Sequence, residues 1–254
     1  MNASEVRVQA DRIEADLRGV GTPERAEKER QYLKSDLEFV GATLPQIHAV
    51  ARAFLADRPT LDHDDLVAVV EALWAEPVHE RRMTAVDLLE MRADPLLTPD
   101  DLALVERLLL DSRTWALVDG LAANVAGPIV DRYPAAGDAT LDRWAVHPDF
   151  WLRRSALLAL LVPLRHGDGD FVRFGRYADA MLDETEFFIR KAIGWVLRDT
   201  AKRRPDLVFE WLLPRARRAS GVTYREAVKP LSAEQRAALD AARGTSGKRR
   251  SPPR

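Results

Sequence analysis

No cysteine occurs among the 254 residues, which excludes disulfides, thiolate metal sites and a cysteine nucleophile. Histidine is scarce at five, and no two lie close enough on one helix face to suggest zinc, so no metal is expected. No apolar run approaches the length of a bilayer span, and the N-terminal MNASEVRVQADRIEADL is too polar for a secretory signal. The membrane is therefore not an expected partner, and the cytoplasm is the expected compartment. Period-two alternation is missing too, so no strand is predicted. What is present is 46% hydrophobic and 31% charged residues. That suits a globular chain with a sizeable core, and rules out a disordered chain or a fibre.

The near-neutral total of -2 conceals a split. Residues 151–229 hold 16 Lys/Arg against 10 Asp/Glu, and residues 230–254 hold six against two, so the first 150 residues carry the negative excess. A basic second half suits a polyanion partner. It equally suits an ordinary salt-bridged helix surface.

Apolar residues recur at helical spacing in almost every segment. Helices are predicted over 3–19, 23–40, 45–57, 62–75, 79–91, 99–111, 114–132, 138–146, 150–163, 169–182, 185–203, 205–219 and 232–242. Prolines fall at segment edges, Pro163 among them, and Thr60, Thr98, Asp183 and Ser232 read as N-caps. Trp74, Trp115, Trp151 and Trp195 are spaced by 41, 36 and 44 residues, which fits a helix-pair repeat of roughly 40 residues. Helices of this length joined by short loops suggest an all-α bundle or an α-solenoid, with a disordered basic tail over 244–254. Nothing in the pattern suggests self-association, so a monomer is expected.

Three segments carry unusual placements. In SRTWALVDGLAANV (112–125), Trp115 and Asp119 share a face offset from the stripe of Leu117, Val118, Leu121, Ala122 and Val125. An edge tryptophan beside a surface aspartate would look the same. In HPDFWLRRSALLALLV (147–162), Trp151 and Arg154 share a face, and Arg153 and Arg154 lie near the helix start, where the dipole disfavours cations and an anion is welcome. Bonding to acidic neighbours is the alternative. In ETEFFIRKAIGWVLRDTAKRRP (184–205), Trp195 aligns with Lys191, Arg198 and Lys202, about 160° round the helix from the core residue Ile193. An aromatic amid cations suits a sugar-phosphate backbone.

The strings FFIRKAIGWVLRD, FWLRRSALLALL and TWALVD resemble the bacterial HEAT-like-repeat DNA alkylation repair enzymes, the alkylpurine DNA glycosylases. YLKSDLEFVGATLP (32–45) is similar to the family's N-terminal tyrosine-lysine and phenylalanine-glycine-proline pattern, and LWAEPVHERRMTAVDLL (73–89) to its second repeat. The similarity runs in order through most of residues 25–230. It implies one all-α domain over 1–243, an α-α superhelix of HEAT-like repeats with a concave basic groove for double-stranded DNA. The implied reaction is hydrolysis of the N-glycosidic bond of cationic alkylated purines, such as 7-methylguanine and 3-methyladenine. By that resemblance the catalytic aspartate falls on Asp119, and the two tryptophans flanking the deoxyribose on Trp115 and Trp195. The phosphate-contacting arginine falls on Arg154, and a further position near the DNA on Tyr32. Arg153, Lys191, Arg198 and Lys202 are expected to add DNA contacts. Thr43 stands where some relatives have a DNA-facing glutamine, and Thr114 where a relative has another tryptophan. Both departures bear on grip and lesion range. The resemblance implies no cofactor and no β-lyase step, places the protein at the nucleoid, and leaves the lesion stacked. A non-catalytic binder of damaged or branched DNA on the same scaffold, and a protein-interaction solenoid, remain as competing readings.

Overall fold

The computed structural model describes residues 1–244, so the tail expected over 244–254 lies, Gly244 apart, outside the described residues. The chain divides into two compact units, Met1–Ser155 and Ala156–Arg254, the second described only as far as Gly244. Among the described residues there is no strand, only an isolated parallel bridge between Glu38 and Val78.

The first unit carries α1 (Ala3–Val20), α2 (Pro23–Leu33), α3 (Leu44–Ala56), α4 (His63–Ala75), α5 (His79–Leu96), α6 (Leu102–Asp111), α7 (Trp115–Gly120), α8 (Gly127–Arg132) and α9 (Pro134–Ala145). The helix α10 (Phe150–Leu158) runs across the boundary. The second unit carries α11 (Leu161–His166), α12 (Phe171–Ala180), α13 (Phe187–Ala201), α14 (Pro205–Leu212), α15 (Gly221–Ala227) and α16 (Ala233–Arg243). Except on α2, which has no buried residue, apolar side chains form the buried face of each helix. Leu66, Val69, Val70 and Leu73 do so on α4, and Ile189, Ile193, Val196 and Leu197 on α13. Each such aliphatic side chain contributes about 1.5–3 kcal/mol of burial free energy.

Polar ties across neighbouring helices show the repeat. In the first unit His48–Asp87, His63–Asp101, Arg107–Glu71, Trp74–Asp111, Trp144–Glu106 and Arg154–Asp119 bond residues 35 to 39 positions apart. In the second unit Arg165–Asp199, Lys191–Glu226 and Arg215–Asp179 span 34 to 36.

Several boundaries differ from expectation. The helix predicted over 23–40 ends at Leu33, where Lys34 turns left-handed at φ 50°. The following loop is pinned instead by Glu80, a fully buried carboxylate that accepts the N–H groups of Val40 and Gly41 at 3.0 and 2.7 Å. The helix predicted over 114–132 is broken by a π-helical stretch, Leu121–Ala126. Pro128 lies two residues beyond; it has no N–H, and its ring crowds the preceding turn, which favours a wider register there. The stretch predicted over 150–163 is two helices, with Pro163 inside the first turn of α11, a position proline tolerates. The segment over 205–219 shortens to α14 plus a 3-10 turn, and α15 was not anticipated. Thr98 and Ser232 do form capping boxes. Thr60 and Asp183 do not cap; Asp62 and Glu186 take those positions.

Candidate active site

In the first unit, α7 starts after a sharp reversal. Ser112 closes α6, Arg113 sits left-handed at φ 53°, and Thr114 is extended. The Thr114 hydroxyl is buried and lacks a hydrogen-bond partner. This turn sets Trp115 at the first position of α7 and Asp119 one turn later. At Gly120 an added Cβ would meet Val86 Cγ1 at 2.8 Å, so the missing side chain lets α7 lie directly against α5.

Asp119 is gripped end-to-end by Arg154. The guanidinium donates from Nε to Oδ1 at 2.8 Å and from Nη2 to Oδ2 at 2.9 Å. The Arg154 side chain is 3% exposed and that of Asp119 16%. Two-pronged pairing of this kind fixes both planes. Burial pushes the Asp119 carboxyl above the ordinary aspartate value, and the Arg154 charge and hydrogen bonds pull against that shift. The arginine expected on a phosphate thus has its Nε–Nη2 edge on the candidate catalytic carboxylate. Arg154 reaches Asp119 from the first turn or so of α10, which is opened by Asp149 accepting the Trp151 N–H at 2.7 Å. Trp151 itself is buried.

Trp115 is half-buried and meets Tyr32 edge-on, with centroids 5.8 Å apart and planes at 87°. Tyr32 lies at the end of α2 and is 68% exposed. The structure therefore brings Tyr32 to Trp115 and Arg154 to Asp119. Arg153 donates from Nη1 to the carbonyls of His147 and Pro148 at 2.6 and 2.8 Å, bracing the turn before α10. Thr43 is the N-cap of α3, where its N–H and hydroxyl both donate to Gln46 Oε1 at 2.8 Å.

In the second unit, Trp195 and the cations aligned with it converge on two acidic groups that sequence reading had passed over. Trp195 Nε1 donates to Asp199 Oδ2 at 3.1 Å, and Arg165 Nε donates to the same oxygen at 2.9 Å. Lys202 Nζ and Arg198 Nε reach Asp199 Oδ1 at 2.8 and 3.3 Å. Glu226 on α15 takes Lys191 and Lys229 at 2.7 and 2.9 Å and a further bond from Arg198. Burial works against the charge on Asp199, but hydrogen bonds from Lys202 and Arg165 hold its carboxyl below the usual aspartate range. Lys191 and Lys229, aided by Arg198 and opposed by burial, bring Glu226 down to about 2. Asp199 was findable, since it lies four residues from Trp195 on one helix face. Glu226 was not, because only the packing of α15 on α13 brings it there.

Among the described residues no group of three or more side chains is arranged to hold a metal ion, and no helix is long and apolar enough to cross a membrane.

Comparison with known proteins gives these elements a context. A structure titled as a predicted DNA alkylation repair enzyme from Enterococcus faecalis is similar at 25% identity and a TM-score of 0.74, over 84% of this chain and 97% of that one. Two Streptococcus mutans structures, smu.31 and AlkD2, share the helical-repeat fold at 19% identity. Their TM-scores are 0.57 and 0.59, over 74% and 82% of this chain and 93% and 100% of theirs. No curated protein is matched. The family model described as DNA alkylation repair enzyme matches residues 13–231, and the chain belongs to that family.

Proposed function

We propose that the protein is a monofunctional DNA glycosylase that hydrolyses the N-glycosidic bond of cationic alkylated purines in double-stranded DNA. The observation that carries this reading is the buried, two-pronged Asp119–Arg154 pair one helical turn from Trp115, in a chain of a DNA alkylation repair family. Alkylation at N7 or N3 makes the purine a cation and a good leaving group. As it departs, positive charge builds on the deoxyribose, as in other glycoside cleavage. A carboxylate already fixed in orientation stabilises that charge with little reorganisation. Arg154 keeps Asp119 oriented and favours its ionised form. An aromatic face beside the sugar, the role proposed for Trp115 and for Trp195, attracts such a cation by roughly 0.5–2 kcal/mol. Asp119 also orients the water that attacks C1′; the N-glycosidic electron pair leaves with the purine, which departs neutral, and the water's proton passes to solvent. No lysine nucleophile takes part, so no β-lyase step follows. Lys191, Arg198, Lys202 and Arg153 supply phosphate attraction, with Tyr32 and Thr43 beside the DNA. The protein works as a monomer, as one domain over 1–243, at the nucleoid.

The test is release of 7-methylguanine from a defined duplex by the wild type and by Asp119→Asn. Release by the wild type and its loss in the variant are expected. Clean wild-type protein that releases nothing yet binds the duplex would replace this reading with that of a non-catalytic binder. Equal release by both proteins would remove Asp119 from the mechanism.

A further inference from the structure

We propose that Asp199 is a positioning residue that fixes the Trp195 indole in the orientation the base-release reaction uses; this rests on the glycosylase reading above. The indole N–H groups of Trp74, Trp144 and Trp195 end on carboxylates. Trp74 bonds Asp111, and Trp144 bonds Glu106, each on a different helix, so those bonds tie helices together. The Trp195 bond stays within α13, four residues apart, and ties no two elements. Its effect falls on the ring.

The surroundings fit that purpose. Asp199 is 3% exposed and so does not itself meet a substrate. Joining α11 to α13 needs only the Arg165 bond, yet the same oxygen also accepts Trp195 Nε1, while Lys202 and Arg198 hold the other oxygen. With one oxygen held by two cations, the other stays aimed at the indole. Trp195 is only half-buried, and its N–H would otherwise be free to choose water. A carboxylate behind the N–H also polarises the ring and makes its face a better partner for positive charge.

The experiment uses the full chain with indole nitrogens labelled by 15N. Six tryptophans give six indole peaks, and Trp195→Phe assigns one. In the wild type, the Trp195 N–H is expected to exchange slowly. Asp199→Ala is expected to move that peak, abolish its protection and slow single-turnover release of 7-methylguanine by about tenfold or more, the scale for a misplaced substrate contact. Affinity for the same duplex should change far less. Asp199→Asn keeps an oxygen acceptor, and is expected to retain the protected peak and recover part of the rate. Fast exchange in the wild type, or a peak unmoved by Asp199→Ala, overturns the proposal. If Asp199→Ala does not fold, the wild-type exchange and Asp199→Asn decide. Wild-type protein that releases no base refutes the glycosylase reading instead, and the indole peaks still show whether Asp199 holds the ring.

Discussion

Arg154 meets Asp119 with two parallel N–H bonds of 2.8 and 2.9 Å while almost wholly buried itself. The cation therefore acts on the protonation of the carboxylate as well as its direction. Burial already raises the Asp119 carboxyl above its ordinary 3.8, and Arg154 lowers it. Removing that charge in Arg154→Gln raises it further. Base release that needs the ionised form should then fail at a higher pH than in the wild type. A single-turnover pH profile with an unshifted acid limb would count against this role. Arg154→Ala, which leaves the carboxylate buried without its partner, should cost about 3 kcal/mol in chemical denaturation.

The edge contact of Tyr32 on Trp115 has a smaller expected effect. Aromatic pairs of this geometry are worth about 0.5–1.5 kcal/mol. Tyr32→Ala should slow release by about twofold to tenfold, as that range converts at 1.36 kcal/mol per decade. Tyr32→Phe keeps the ring and should stay near the wild-type rate. Rates for the two variants under saturating enzyme separate ring from hydroxyl.

Gly194 lies where α13 meets α15. A Cβ there would sit 2.9 Å from Glu226 Cβ and 3.0 Å from Thr223 Cα, both against fixed atoms. Gly194→Ala should lower stability by about 1–3 kcal/mol, the usual range for overpacking. A thermal melt equal to that of the wild type would show that the helices separate freely.

Acid should weaken the second unit through Glu226. Its carboxyl falls from 4.5 to about 2 on folding, chiefly through Lys191 and Lys229. A depressed carboxyl contributes stability that is fully present above the unfolded value and lost as pH drops through the folded one. The loss should therefore fall between pH 4.5 and about 2. Glu226→Gln should flatten the decline of Tm across that window, and identical slopes would argue against the assignment.

The all-helical character followed from the spacing of apolar residues, and two capping boxes, at Thr98 and Ser232, were plain because all their parts are local. Elements that depend on distant groups were not. The loop after Lys34 is held by Glu80, some forty residues on, so its helical look in the sequence misled. The same division holds for the site. Trp115 and Asp119, one turn apart, stood out from their shared face, and the family resemblance gave them roles. Charge pattern alone could not tell that Arg154 pairs with a carboxylate on another helix. Likewise the row of Lys191, Arg198 and Lys202 looked like bare positive charge until folding set Asp199 and Glu226 among them.

The bonds between residues 34 to 39 positions apart have an evolutionary consequence. Each joins a donor on one helix pair to an acceptor on the next. Deleting a whole pair would leave orphaned charges at both cut faces, and duplicating one would require its outward groups to match two neighbours at once. The number of repeats is thus harder to change than the length of any connecting loop.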